Sequence, residues 1–497
     1  MKNLYSLLHS LTRSEIRLLR ISLISFAKRR QEETNTLKLL DFLLKKKEVP
    51  TIEEACKFIY GGESDLRFKM LKSRLKSKIL DSLMHSINTE KKSFQTDHVQ
   101  YAMVKIKKKV ALHVQLSSSK GNHPYVKQLL NEIVFLCKEW EYYTPLAEAL
   151  QYIKLRKGFR QGEKEFDELS QEIDFYENCD RAVRRANDLY YRLMMKSNFA
   201  GTPDIESIQR FINEALEQLK KDYEATQSAN IAYFMMFLEL AHSLNEKNYS
   251  KAKETCLRLI QLISSNKSIF RNQRIGTAYL NLGECEMHLR DYHMTIQNIQ
   301  LAQEYFPKQS LNYFIAKEDE LLAYFYANSI KKAAAISDEL LKKVPYEAGA
   351  FRLAQYEFFK ANILFIKDDY KEALKILNKK HEISKDKIGW DIAIRILTIM
   401  TLIELARYDE ASLQIEGLRK HFERQSKMSE IRERDSLILK TLVYIDKQGF
   451  TFNKLGLQNS KRLELLKSVN KKYCWEPLTP ELIPFHSWAE KKYAEKN

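Results

Sequence analysis

Glycine and proline are scarce in this sequence. It has 13 Gly and 9 Pro among 497 residues, under 5% together, where average usage would give roughly 12%. This scarcity excludes collagen-like and low-complexity chains and argues against glycine-rich nucleotide-binding folds. With 44% apolar and 30% charged residues, so few helix breakers predict long helices joined by short turns.

Cysteine and histidine are few and dispersed. The six cysteines include no CxxC pair and fall in apolar or amphipathic stretches, where free cysteine acts as a small core residue. No disulfide framework is predicted, and a reducing cytoplasm is the expected location. The 11 histidines show no zinc-type spacing, so no metal or other cofactor is predicted.

The sequence also lacks a long apolar segment. Charged and polar side chains interrupt the N-terminal stretch from Met1 to Arg20, so no export signal is predicted. The longest strongly apolar run, residues 396–403, has eight residues, whereas about 20 are needed to span a bilayer. We therefore expect a buried helix there and no transmembrane segment.

Motifs that carry common chemistry are missing as well. The sequence has no GxxxxGK[ST], GxGxxG, GxSxG or EF-hand pattern, and His381-Glu382 fails the HExxH pattern because Lys385 replaces the second histidine. Sequence alone leaves open an acid–base pair assembled from distant positions. Our prediction is a protein that is not an enzyme.

Positive charge is concentrated near the start of the chain. The net charge is +17, and residues 1–125 hold 25 Lys+Arg against 12 Asp+Glu, a net +13. The rest of the chain contributes only +4. An electrostatic partner should therefore meet the N-terminal end.

Residues 1–92 predict a small, basic helical bundle. Thr12/Glu15 and Thr51/Glu54 form capping boxes that start helices, and Gly61-Gly62 should end one. Four short helices joined by tight turns also allow a helix-turn-helix arrangement. The candidate phosphate contacts on its faces are Arg13, Arg17, Arg20, Lys69, Lys72 and Lys76. A simpler interpretation is that these side chains cover the edge of the core.

Residues 93–228 keep a helical pattern without a regular repeat. Residues 229–450 show a repeated pattern of helix pairs. Residues 276–307 carry an aromatic, a Leu-Gly pair, a turn, a late Ala and a terminal Pro, namely Tyr279, Leu282-Gly283, Asp291-Tyr292, Ala302 and Pro307. This segment resembles the tetratricopeptide repeat, a pair of antiparallel helices. Thr295, Ile299 and Glu286 depart from the family pattern.

Weaker copies surround this unit over roughly residues 230–420. Their turns should lie at Asn248-Tyr249, Asp291-Tyr292, Ser329-Ile330, Asp369-Tyr370 and Tyr408-Asp409, just before the first small residue of each second helix. Successive turns recur at intervals of roughly 40, longer than the ideal repeat of about 34, so the helices or turns should be longer than in the family. The predicted fold is all-α: an N-terminal bundle followed by an α-solenoid of antiparallel helix pairs, although an array of hairpins without a superhelix also fits.

The resemblance implies a concave groove lined by the first helix of each unit. It places eight residues there, namely Thr277, Leu280, Asn281, Glu284, His288, Phe358, Asn362 and Phe365. Asn and His side chains among aromatics suit an extended peptide, whose backbone needs hydrogen bonds. Core packing is the alternative for each aromatic residue.

Residues 451–497 should close the stack. A short helix is followed by a tail with three prolines and two of the four tryptophans, Trp475 and Trp488. Because repeat arrays need their last apolar face covered, we expect these aromatics to form a cap. Docking of the tail onto a partner is the alternative.

Two functions remain open at this point, with a third less favoured. The first is a non-enzymatic scaffold that binds a protein or peptide in the groove. The alternative is a nucleic-acid-associated regulator that contacts phosphates through the basic bundle. Attachment to a membrane surface is less favoured because no amphipathic stretch has the bulky apolar face it needs.

Overall fold

The computed structural model describes residues 1–27, 31–62, 66–86, 98–120, 123–199, 205–343, 349–379, 385–427, 431–452, 457–468, 470 and 472–494. Within these residues the chain is entirely helical and turn-like, with no strand. The all-α prediction is confirmed. The chain forms two units, Met1–Leu136 and Cys137–Asn497.

Among the described residues, the first unit contains six helices and most of a seventh. They are α1 (Lys2–His9), α2 (Arg13–Ala27), α3 (Gln31–Lys45), α4 (Ile52–Tyr60), α5 (Leu66–Ser86), α6 (His98–Lys120) and α7 (Pro124–Glu139). Leucines of α1, α2 and α3 pack with Phe68, Leu71, Leu75 and Ile79 of α5 in one core. The sequence predicted four helices in this bundle, and α1 is an additional one.

Local capping fixes two of these helices as predicted. The Thr12 amide donates to Glu15 at 2.7 Å while the Glu15 amide donates to the Thr12 hydroxyl at 3.2 Å. Thr51 and Glu54 form the same reciprocal pair at the start of α4. Gly61 ends α4 with φ +75°, a conformation that favours glycine.

The second unit is a succession of helices that pack against their neighbours along the chain. They are α8 (Tyr143–Gln161), α9 (Glu163–Phe199), α10 (Ile205–Thr226), α11 (Ala229–Asn245), α12 (Tyr249–Ser265), α13 (Asn272–His288), α14 (Tyr292–Tyr305), α15 (Leu311–Tyr326), α16 (Ile330–Lys343), α17 (Gly349–Ile366), α18 (Tyr370–Leu377), α19 (Trp390–Glu404), α20 (Tyr408–Gln425), α21 (Glu433–Lys447), α22 (Leu457–Lys467) and α23 (Phe485–Ala494).

Five hairpins within this succession are the predicted tetratricopeptide-like pairs. Their second helices are α12, α14, α16, α18 and α20, and each begins within the turn predicted from the sequence. The residue two positions before each of these helices has φ between 55° and 63°. The next residue donates its N–H to a carbonyl five positions earlier, at 2.8–2.9 Å. Such bonds satisfy the carbonyls at the end of the first helix.

Close helix approach in the best repeat depends on Gly283. A Cβ atom at this position would lie 2.7 Å from Ile299 Cδ1 and 3.4 Å from the Thr295 carbonyl oxygen. Ala302, fully buried, packs with Leu280 and with Ala316 of the next pair. The small residues of the motif therefore set the distance between α13 and α14.

Candidate functional site

The first candidate surface is a cavity between α1 and α5. It has a volume of about 480 Å³ and is lined by Lys2, Lys69, Lys72 and Lys76, with Asn3 and Ser73 among its other lining residues. Lys69, Lys72 and Lys76 share one face of α5 because they are three and four residues apart. Within the described residues none of the four lysines has a carboxylate partner. The structure thus brings three predicted phosphate contacts together and adds Lys2.

The three predicted arginine contacts lie elsewhere, on α2. Arg13, Arg17 and Arg20 are exposed and do not line this cavity. Arg20 donates to Asp41 of α3 at 2.6 Å, so its guanidinium already has a carboxylate partner. The predicted basic surface is therefore divided between two helices.

The second candidate surface is formed by the first helices of the pairs, α11, α13, α15, α17 and α19, and we call it the first-helix face. Thr277, Asn281, Glu284 and His288 of α13 are partly exposed. The Asn281 amide donates to the Thr277 carbonyl at 2.9 Å. The His288 ring stacks on Tyr249 with centroids 4.0 Å apart.

The other four predicted groove residues are buried. Leu280 packs in the core between α13 and α14, and Phe365 contacts Tyr370 edge-on at 5.2 Å in the core of a later pair. Phe358 and Asn362 are buried and line a small cavity together with residues 480–483. The structure corrects the prediction here because apolar contacts between neighbouring helices, and the C-terminal segment, remove these side chains from solvent.

Several carboxylates along this face have lost much of their hydration. Desolvation by the surrounding helices raises the pKa of Glu284 to about 7, and desolvation together with Glu284 raises the pKa of Asp319 well above its ordinary value. Glu318 pairs with Arg352 and accepts the Tyr356 hydroxyl hydrogen at 2.6 Å. Loss of hydration favours the neutral carboxyl, so this strip holds less negative charge than its composition suggests.

A segment near the C-terminus lies on the same face. We call residues 473–481 the C-terminal loop. The Trp475 ring meets the Tyr326 ring edge-on at 5.3 Å, and the Arg290 guanidinium lies 5.9 Å from the Trp475 ring centre. Lys247 donates to Glu476 at 2.6 Å. The loop thus contacts residues at or just beyond the ends of α11, α13 and α15.

The base of the C-terminal loop is held by one buried arginine. Arg434 of α21 donates to both oxygens of Glu481, at 2.6 and 2.8 Å, and to the Tyr473 carbonyl. Only 4% of Arg434 and 7% of Glu481 is exposed. Residues 480–483 then pack on α17 and α19 and leave a cavity of only about 20 Å³, room for about one water.

The sequence left open whether the C-terminal tail occupies the predicted groove. Glu481 and Arg434 are 47 residues apart, and no periodicity links residues at such a separation. The only signal was composition, because three prolines and Trp475 exclude a long helix in the tail.

Metal-binding clusters and membrane-spanning helices are absent from the described residues. No group of three or more His, Cys, Asp or Glu side chains there is arranged to hold a metal ion. None of the helices in the described ranges is both long and apolar enough to cross a bilayer.

Comparisons with known proteins add little to this description. No protein-family model matches the sequence, and no curated protein does. Among solved structures, a Signal Transduction ATPase with Numerous Domains protein with a tetratricopeptide repeat sensor, from Pyrococcus horikoshii, matches at 12% identity with a TM-score of 0.40. The match covers 89% of this chain and 66% of the other. Because identity and TM-score are both low, the fold assignment depends on the helix pairs themselves.

Proposed function

We propose that this chain is a non-enzymatic scaffold that binds an extended peptide segment of another protein on the first-helix face. The supporting observation is that the ends of three successive first helices already hold a loop of the chain itself, through an aromatic contact and an ion pair. Flat aromatic and charged groups at such spacing give an extended chain both area and direction.

Selection from a random peptide library on the immobilised full chain tests this function. We expect selected peptides to lose at least tenfold in affinity for the Arg290→Ala and Tyr326→Ala chains. Arg419→Ala is the matched control, because Arg419 is an exposed arginine on the second helix α20 and pairs with Glu416. Peptides that bind all four chains equally, or a library that yields none, would contradict the proposal.

A second candidate function is binding of nucleic acid through the cavity between α1 and α5. The specific observation in its favour is the group Lys2, Lys69, Lys72 and Lys76 around one cavity, without carboxylate partners in the described residues. Ammonium groups at this density attract phosphates and release counterions when they bind them.

A salt titration with a fluorescent DNA duplex tests this candidate. The Lys69→Gln/Lys72→Gln/Lys76→Gln chain should reduce the slope of log affinity against log salt by about 2.7, since each lost phosphate contact removes about 0.9. Arg20→Gln serves as the control, because Arg20 is paired with Asp41. Equal slopes for wild type and the triple variant would remove this candidate.

A further inference from the structure

The C-terminal loop is closed at its base. Arg434 contacts the carbonyl of Tyr473 at one end of the loop and the carboxylate of Glu481 at the other. Helix α23 is anchored separately, since Trp488 donates to Glu404 at 2.6 Å and Phe485 is fully buried. The base and α23 thus have anchors that do not depend on how the loop tip, Trp475 and Glu476, contacts the first-helix face. Loops with close ends are frequently functional.

The ion pair at the tip is more exposed than the ion pair at the base. The Lys247 and Glu476 side chains are 40% and 23% exposed, and such a pair contributes only about 0–1 kcal/mol. Trp475 is the stronger anchor. Only 9% of it is exposed, its ring contacts Tyr326 and Arg290, and its indole N–H donates to the Glu481 carbonyl at 2.8 Å. The face thus contacts an aromatic residue followed directly by a carboxylate.

One polar group near the tip is left without a partner. In the described part of the chain, the buried His288 Nδ1 atom makes no hydrogen bond. The charges of both Glu476 and Lys247 act on the pKa of His288, which places its ring near the tip. The loop therefore leaves a hydrogen bond unmade that a different peptide could make.

We infer that the C-terminal loop is a built-in competitor for the first-helix face, and that the partner which displaces its tip presents an aromatic residue followed directly by Asp or Glu. This inference rests on the proposed function and names its partner class and its regulation. Tethering gives the loop an effective concentration in the millimolar range. A free peptide of the same sequence must therefore bind the intact chain weakly and an opened chain tightly.

The test uses the full chain and a synthetic fluorescent peptide that copies residues 472–482 with Ser in place of Cys474. Fluorescence anisotropy gives its Kd for wild type and for Trp475→Ala, in which the tethered tip loses its aromatic anchor. We expect at least a tenfold lower Kd for Trp475→Ala and about a threefold lower Kd for Glu476→Gln. Glu490→Gln is the control, because Glu490 pairs with Lys467 of α22, away from the loop.

Two further variants identify the site of binding. Tyr326→Ala in the Trp475→Ala background should raise the Kd again at least tenfold, and a peptide with Ala at the Trp position should not bind. Circular dichroism of every chain verifies folding, and Glu476→Gln keeps the test valid if Trp475→Ala lowers stability. Equal Kd values for wild type, Trp475→Ala and Glu476→Gln, in chains with native circular dichroism, would overturn the inference.

Failure of this inference differs from failure of the proposed function. If the copied peptide binds the opened chain but the library yields no foreign peptide, the loop is a competitor without a partner and the proposed function fails. If foreign peptides bind wild type and Trp475→Ala equally, the proposed function holds and the competitor role is wrong.

Discussion

Positive charge is used differently in the two units. In the repeats, Arg434, Arg352 and Lys317 are largely buried, and each contacts a carboxylate. In the N-terminal bundle, Lys69, Lys72 and Lys76 line an open cavity, while the Arg20–Asp41 pair is exposed. The local charge excess in the sequence thus coincides with lysines around an open cavity, whereas balanced charge can hide ion pairs that hold the fold.

The largest expected effect comes from breaking a buried pair and comparing it with an exposed one. Glu481→Gln leaves the Arg434 guanidinium buried without its counter-charge, which costs about 3–5 kcal/mol. Asp41→Asn removes the partner of exposed Arg20 and costs less than about 1 kcal/mol. Urea unfolding of both variants measures the two losses. Similar losses of unfolding free energy for the two variants would mean that ion pairs contribute equally to stability in the two units.

A second contrast concerns helix approach within the repeats. Gly283→Ala forces a Cβ against Ile299 and should destabilise the chain by about 1–3 kcal/mol. Gly417→Ala on α20 is the matched control, since a Cβ there meets nothing within 4 Å. It should stabilise the chain by about 0.5–1 kcal/mol, because alanine favours a helix. Changes in unfolding free energy of the same sign for both variants would contradict the close-approach role of Gly283.

A smaller effect should appear in the pH dependence of the first-helix face. Desolvation raises the pKa of Glu284 from 4.5 to about 7, because the folded chain favours the neutral carboxyl over the carboxylate. The stability that Glu284 contributes is therefore fully present below pH 4.5 and is lost as the pH rises through 7. Between pH 6.5 and 8 the Glu284→Gln chain should therefore gain roughly 1 kcal/mol relative to wild type.

The control for this titration is Glu206→Gln, a change at an exposed residue of α10. Measurements stay above pH 6.5 because desolvation lowers the pKa of His288 to about 4. The lowered pKa of His288 has the opposite effect on stability to the raised pKa of Glu284. The stability that His288 contributes is present above pH 6.5 and is lost as the pH falls through 4. A stability difference between Glu284→Gln and wild type that does not change between pH 6.5 and 8 would contradict the desolvation of Glu284.

The smallest expected effect is on the stability of the N-terminal bundle when its cavity lysines are replaced. The Lys69→Gln/Lys72→Gln/Lys76→Gln chain should unfold within about 0.5 kcal/mol of wild type, as surface changes away from structural contacts usually do. Differential scanning calorimetry checks this. A loss above about 2 kcal/mol, the size expected when structural contacts are broken, would show that these lysines stabilise the bundle rather than serve a ligand.

Local signals in the sequence predicted much of the fold. Each second helix begins where a turn residue precedes Tyr or Ile, as at Asn248 and Asp291, whose side chains accept the Lys251 and Met294 amide hydrogens. Capping and small-residue positions such as Gly283 act within one hairpin, so a short window of sequence contains their cause. The turn at Glu141, with φ 51°, has a similar backbone conformation and was not predicted because the surrounding motif is missing.

The candidate site was less predictable because its contacts join distant parts of the chain. Phe358 and Asn362 were predicted to line an open groove, yet both are buried and line a small cavity with residues 480–483, which are far away in the sequence. No propensity or periodicity encodes the contact of Trp475 with Tyr326. Only the structure shows that the face predicted to be open is partly filled by the chain itself.

Hydrogen exchange of the wild-type chain, resolved by peptide, tests the central claim most directly. We expect the backbone amides of residues 474–476, 478 and 479 to exchange through local opening, faster than those of α23 and of the first helices α13 and α15. Their exchange should still be slower than in an unfolded peptide, because the loop is bound most of the time. Exchange of these loop amides only together with the repeat helices would show that the loop is a fixed part of the fold, and would contradict the account.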